Sequence, residues 1–518
     1  MSAASPPTWD DGYPIAPSRR GLAGLVLYIS NAMILLDMTV ANVTVPQIAG
    51  NLGASLEQGT WVVTSYAVAE AICVPLTGWL VARFGAVKLT IASILGFTFF
   101  SLMCGLSTTL PMLVVCRIGQ GLCGGPIMPL AQTLIFRIYP APQLPRALGY
   151  WMLTVMIAPA AGPIIGGSIA DQFSWHWIFL INVPIGLAVA LLAYLVLRPA
   201  ETSPVRLPID KVGMVLLFLW VGALQLMLDT GREKDWFSDW TIIVLATIAG
   251  IAFCAFLIWE LTEEHPIVNV RLIGNRPFAM CMLGNGLAYG SYFGGIVVVP
   301  QWLQSVMGYS AAQAGVVTAT SAVGSMISSQ LTLRLLFRWD ARMLVSVGGF
   351  WAAGCFALRT FWSTDLDFLS LAVIFGIQGL GSTMMMMALN NMAMNSIPLK
   401  DSADGSGINN FIRTMSSAIA TAVILTFWNN QQAVSRDALV QSLHPDQATA
   451  ALTRTGLPDL VNSFYLSALV DRQAVTVAML HTFAVAASAL LVAALAIWTV
   501  PYIELSRLKG THGNVLED

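Results

Sequence analysis

The feature that most constrains this chain is a run of about twenty apolar residues, repeated from one end of the sequence to the other. Such runs fall near 22–46, 60–82, 87–107, 110–136, 147–170 and 177–197, then near 212–229 and 240–261. Six more follow near 277–304, 311–335, 343–362, 368–396, 406–428 and 476–500. As a helix, each is long enough to cross a hydrocarbon layer of about 30 Å. Only 10% of the 518 residues are charged, against about 25% in soluble proteins, which leaves too little charge for a water-facing surface. A lipid-exposed backbone must bond to itself, so a run of this kind is a helix. The sequence therefore predicts an all-α integral membrane protein with fourteen transmembrane helices.

The basic residues give this count a direction. Threaded through fourteen spans, eighteen of the 25 Lys and Arg fall on one side and six on the other, with Arg117 inside a span. Positive residues stay in the cytoplasm, so both termini are expected there. The runs group as six, two and six. This predicts a cytoplasmic tail (1–20), an N-terminal six-helix bundle (21–200), a linker with two extra helices (201–275), a C-terminal six-helix bundle (276–505) and a second tail (506–518). An outer loop is expected at about 430–475. A faint echo links the bundles: the loops Gly78–Lys88 and Arg334–Arg342 are both basic and occupy the same place in each half.

Several functions are excluded on composition. A net charge of −2 points to no nucleic-acid partner. No GxxxxGK[ST] sequence occurs, so ATP is not expected to drive the work. The seven cysteines lie inside apolar runs without metal-ligand spacing, so neither a metal site nor a disulfide framework is expected. No enzyme is indicated and no cofactor is expected.

Charged residues buried in spans carry the remaining signal. Asp37 lies mid-span in LDMTVANVTVP (36–46), where an ionised Asp costs roughly 2.5–3.5 kcal/mol on insertion scales. Such a group can take a proton from one side and release it to the other. Arg117 cannot discharge and must find a partner inside the bundle. Glu70 is a second buried acid in the same half. These three are the candidate proton-coupling residues. Gln120, one turn from Arg117, is placed to bond either Arg117 or a substrate. With Tyr66, Asn285, Met387, Asn390 and Asn391 it makes up the candidate substrate cavity. The Met384–Met387 run is equally a packing stripe. Asp229 and Glu260 sit near span ends and are expected at the interface, as are Trp175, His176 and Trp177. In APAAGPIIGG (158–167), Gly162, Pro163, Gly166 and Gly167 make a small-residue stripe that lets a second helix approach closely.

Together these segments resemble the fourteen-span drug:proton antiporter branch of the major facilitator superfamily. LDMTVANVTVP is similar to its first-helix motif, RIGQG (117–121) to its fourth-helix motif and APAAGPIIGG to its antiporter motif. GWLVARFGAVK (78–88) resembles the loop motif through Gly78, Arg83, Gly85 and Lys88, with Ala82 where that motif has Asp. GTWVVTSYAVAEAICVPLTGWL, WHWIFLINVPIG, LQLMLDTGREKDWF and WELTEEHPIV look like the EmrB-type subgroup. The resemblance implies a protonation role for Asp37, a proton-transfer or conformational role for Arg117, and a bacterial inner-membrane, multi-pass location. It implies export of small hydrophobic or amphiphilic drugs in exchange for protons. It also implies two partners, a periplasmic membrane-fusion adaptor and an outer-membrane channel, in a tripartite efflux pump. Two rivals stay open: an exporter of one endogenous metabolite, lipid or siderophore, and a non-transporting sensor or scaffold.

Overall fold

The computed structural model describes residues 12–140, 142–204, 208, 210–232, 234–336, 338–398, 401–442 and 459–500. Among these there are helices and no strands. The first half comprises α1 (Pro17–Asn51), α2 (Leu56–Cys73), α3 (Thr77–Phe84), α4 (Ala86–Gly105), α5 (Leu110–Gly124), α6 (Ile127–Ile138), α7 (Leu144–Gln172), the short α8 (Trp177–Leu180) and α9 (Asn182–Leu197). The inserted pair is α10 (Lys211–Thr230) and α11 (Trp240–Thr262). The second half comprises α12 (Arg276–Ser305), α13 (Ala311–Leu336), α14 (Ala341–Arg359), α15 (Phe368–Asn395), α16 (Ser402–Ser442) and α17 (Asp459–Ala496).

Each of the fourteen apolar runs coincides with one of these helices or with a consecutive pair. Eleven spans are long and apolar enough to cross a membrane, and the α2–α3 pair, bent by 60°, makes a twelfth. The bend follows Pro75, and the α5–α6 junction follows Pro126. Proline removes a backbone donor and breaks the ladder at both. The other two, α7 and α13, have 29 and 26 residues. They pack along each other across the two halves, with Gly149 facing Ser329 and Leu333. Small residues, rather than bulky apolar ones, allow that approach.

The echo between halves is structural as well as sequential. Ser55 and Gln58 form a reciprocal capping box at the start of α2. Ser310 and Gln313 exchange the same two bonds, at 2.9 and 3.2 Å, at the start of α13. Each box satisfies helix-end donors that water would otherwise have to meet. Of the inserted pair, α10 lies against α2 and α16, and α11 packs on α10. Trp220 of α10 packs against Phe253, Phe256 and Phe411, and Trp236 donates to Thr426 at 2.9 Å. Asp239 caps α11, and the Thr241 hydroxyl and backbone N–H that donate to it hold its carboxyl below the ordinary Asp value.

Several sequence expectations need correction. The outer loop at 430–475 is largely helix: α16 runs to Ser442 and α17 begins at Asp459, with 443–458 outside the described residues. Arg436 and Asp471 pair at 2.6 Å between these two extensions. Trp175 is buried and stacks on His176 at 3.7 Å between ring centroids, leaving Trp177 exposed. Arg359, counted among the outer charges, is fully buried among Phe356, Trp362, Phe375 and Phe483, with Gln378 accepting from its guanidinium. Glu260 is fully buried rather than interfacial. In each case the position along the chain is as expected; side-chain packing against distant helices decides the burial.

Candidate functional site

Asp37 sits midway along α1 and is 3% exposed. Its Oδ2 accepts from Arg117 Nη1 at 2.5 Å. Its Oδ1 accepts from Gln120 Nε2 at 3.0 Å and from Asn182 Nδ2 at 2.8 Å. Arg117 and Gln120 lie one turn apart on α5, so one helix face supplies both. Arg117 also donates from Nε to the Val62 carbonyl at 2.9 Å and from Nη1 to Gln120 at 2.9 Å. Its guanidinium stands over the Tyr66 ring at 4.2 Å and the Phe179 ring at 5.5 Å. Asn182 is steadied by Ser101 at 3.1 Å, which itself donates to the Phe179 carbonyl. One carboxylate thus ties α1 to α5 and α9, and its arginine ties in α2.

Every contact to Asp37 is from an N–H donor, so the pocket is built for the anion. A proton arriving on Oδ2 would face Arg117 Nη1, itself a donor. Breaking a buried pair by removing one partner costs about 3–5 kcal/mol, so this pair holds α1 and α5 together.

Tyr66 and Gln120, expected along a substrate cavity, belong to this charged cluster instead. Glu70 is close by, within electrostatic reach of Arg117, Asp37 and Arg413. Arg413 comes from α16 in the other half and points toward Met128 of α6. Glu70 thus lies within reach of both the Asp37 pocket and the Arg413 side chain of the other half.

A second polar group lies in that seam. Gln132 of α6 donates to Asn390 at 3.0 Å, Asn410 donates to Gln132 at 2.8 Å, and Asn409 donates to Asn390 at 2.8 Å. Asn285 of α12 donates to Asn409 at 2.9 Å. Asn391 turns away to the Met387 carbonyl. Met384 to Met387 are all buried, which is the packing-stripe alternative. The sequence reading found Asn285 and Asn390 but missed Gln132, Asn409 and Asn410. A neutral amide carries little insertion signal, although the adjacent Asn409-Asn410 pair in an apolar run was visible. Gln132→Ala is expected to lower thermal stability by about 1–3 kcal/mol, because buried amides lose their partners. A melting temperature equal to that of the unmodified protein would contradict this closed seam.

The motif glycines sit where close approach demands them. A Cβ on Gly162 would strike Thr39, and one on Gly166 would come within 2.7 Å of Val40, both on α1. The side chains of Pro163 and Gly167 lie outside the described residues. Gly162→Val is expected to cut transport about tenfold or more by wedging α7 from α1 beside Asp37. Flux assays on folded protein in liposomes would show it. Gly78 packs against Asp404 of α16, so the loop motif touches the opposite half. Gly85 has φ +89°, a region that favours glycine. There Glu201 accepts from the N–H groups of Val87 and Lys88 at 3.0 Å each, capping α4. Arg137 holds that corner through the carbonyls of Ala200 and Glu201 at 2.9 Å. Arg83 lies over the Trp79 ring at 5.4 Å, and Lys88 is exposed. The seam contacts described here, Gly78 with Asp404, Gly149 with Ser329 and the amide group, all lie toward the end bearing the basic loops.

Two helical bundles, a buried carboxylate–guanidinium pair within one and amides joining both, make up a membrane transporter rather than an enzyme. The "Major Facilitator Superfamily" model matches residues 27–421, and the chain belongs to that family. "Multidrug export protein EmrB" of Escherichia coli (strain K12) is 42% identical over 433 residues, covering 83% of this chain and 85% of that protein. Its namesake in Haemophilus influenzae is 38% identical over 495 residues, covering 94% and 96%. "Fatty acid resistance protein FarB" of Neisseria gonorrhoeae is 38% identical over 440 residues, covering 84% and 87%. Among solved structures, the proton:xylose symporter XylE aligns with a TM-score of 0.57 at 16% identity, covering 95% of this chain and 98% of that one. That likeness speaks for the fold alone. The chain is a multi-pass protein of the bacterial inner membrane.

Proposed function

We propose that this chain is a proton-driven multidrug exporter of the inner membrane, and that Asp37 is its proton carrier. The observation that carries the reading is the Asp37–Arg117 pair at 2.5 Å, buried on both sides. The names of its EmrB relatives support drug export. In the closed arrangement the Asp37 carboxyl is held by Arg117, Gln120 and Asn182. A proton arriving from the outer side neutralises it, frees α1 from α5 and opens the seam at the opposite end. Substrate then enters between the halves. One proton falling through 100 mV supplies about 2.3 kcal/mol, enough for roughly a fiftyfold gradient. No cofactor enters this scheme.

Both termini are assigned to the cytoplasm by the basic loops. The long outer extensions of α16 and α17 suit contact with a periplasmic adaptor, which would pass substrate to an outer-membrane channel. The test is reconstitution in liposomes with an imposed pH gradient and a fluorescent amphiphilic drug. Drug movement against its gradient, with matching proton movement, is the expected result. Drug flux indifferent to the pH gradient would refute the coupling. The FarB relative favours one alternative, a lipid exporter on the same scaffold. Preference for a fatty acid over all drugs in the same liposomes would establish it.

A further inference from the structure

A second pair of acids lies far from Asp37, where the inserted helices meet the linker. Asp210 is the N-cap of α10, and its Oδ1 accepts from the Gly213 N–H at 2.8 Å and from Trp259 Nε1 at 2.9 Å. Glu260 lies near the end of α11, and its Oε2 accepts from the Val268 N–H at 3.2 Å. Each carboxyl therefore has one oxygen satisfied. The other oxygens, Asp210 Oδ2 and Glu260 Oε1, are both buried and have no hydrogen-bond partner. They also converge. A Cβ on Gly213 would collide with both, so the two oxygens border the same small space beside Gly213. Asp210 is 8% exposed and Glu260 fully buried.

Among the described residues, the surroundings supply no counter-charge. The charges acting on Glu260 are Asp210 and Glu263, both acidic. Lys211 is exposed, and Arg271 is spent on the carbonyls of Leu261 and Glu263. On α3, Arg83 lies over Trp79, whose indole donates to the Pro208 carbonyl. On α16 the facing group is Asp404, met by Asn269. Two facing carboxylates in such a place cannot both stay ionised, whereas one proton turns their repulsion into a hydrogen bond.

We infer that Asp210 and Glu260 form a second proton-binding site, holding one proton between Oδ2 and Oε1. The site is joined to the transport seam by a short path of contacts. Glu260 holds the Val268 N–H, the next residue Asn269 meets Asp404, and Asp404 packs on Gly78 of the loop motif. Losing the proton pushes α10 and α11 apart and pulls on the segment that touches this inner contact. The ligand is a proton, and the inference does not depend on Asp37 or on transport.

Infrared spectroscopy of the full-length protein in liposomes tests it. The expected result is a deuterium-sensitive C=O stretch of a protonated carboxyl at neutral pH. It should be lost in Glu260→Gln and equally in Asp210→Asn, and kept in Asp37→Asn. Losing one band through either single change identifies one shared proton. Both variants replace a carboxyl oxygen by an amide nitrogen that can donate across the same gap, so both should fold. Stability gives a second readout. A proton held only by the folded pair makes the melting temperature fall as pH rises through its release, and Glu260→Gln should flatten that fall. A band unchanged in both variants would overturn the inference. So would a melting temperature that rises with added sodium or potassium, since a metal ion would then occupy the gap.

Discussion

Asp37→Asn is expected to abolish export driven by a pH gradient, with a loss of about 100-fold or more when a positioned proton-transfer group is removed. The chain should still insert and fold. Arg117 keeps the Val62 carbonyl, Gln120 and the rings of Tyr66 and Phe179, so its charge retains part of its hydrogen bonding. Asparagine has the volume of aspartate and presents one acceptor to Arg117, but its side chain cannot gain or lose the proton. The measurement is drug accumulation and proton movement in liposomes beside the unmodified protein. Coupled flux at the normal rate would remove Asp37 from the mechanism.

Arg117→Ala carries the second large effect. It leaves a carboxylate in an apolar pocket and opens space between α1, α2 and α5. Stability should drop by about 3–5 kcal/mol, as for other buried pairs broken from one side. Adding Asp37→Asn should recover part of that loss, because the pocket then holds no unpaired charge. The double-mutant cycle, read from heat-induced loss of monodisperse protein, gives the coupling directly. Arg117→Lys separates fold from function. It keeps the charge but cannot reach Val62, Asp37 and Gln120 together, because an ammonium lacks the planar fork. Folded protein without transport is the expected outcome, and full transport in Arg117→Lys would show that charge alone suffices.

Much of this architecture was legible in the sequence because lipid punishes exceptions. Each run of apolar residues coincides with a helix or a consecutive pair of helices, and the cost of burying Asp37 and Arg117 singled both out. Gln120 followed from helical spacing. Asn182 did not: it lies 145 positions from Asp37, in a stretch that looks like an interfacial start, and an amide carries no comparable penalty. The carbonyl of Val62 has no sequence signal at all. Arg359 was misplaced because it closes an apolar run, where arginine normally reaches for water. Here aromatic rings and Gln378 stand in for the solvent. Glu260 was misplaced for the same reason, since nothing in WELTEEHPIV announces that Asp210, fifty residues earlier, folds back beside it.

The continuity of α16 has a mechanical consequence. At 1.5 Å per residue its 41 residues reach about 61 Å, roughly twice the depth of the oily layer. One rigid rod therefore joins the projecting tip, stapled by Arg436 to Asp471, to the far end where Asp404, Asn410 and Arg413 meet the other half. From Arg436 to Arg413 is a lever arm of about 35 Å. A tilt imposed at the tip would therefore be carried along the same rod to the contacts below.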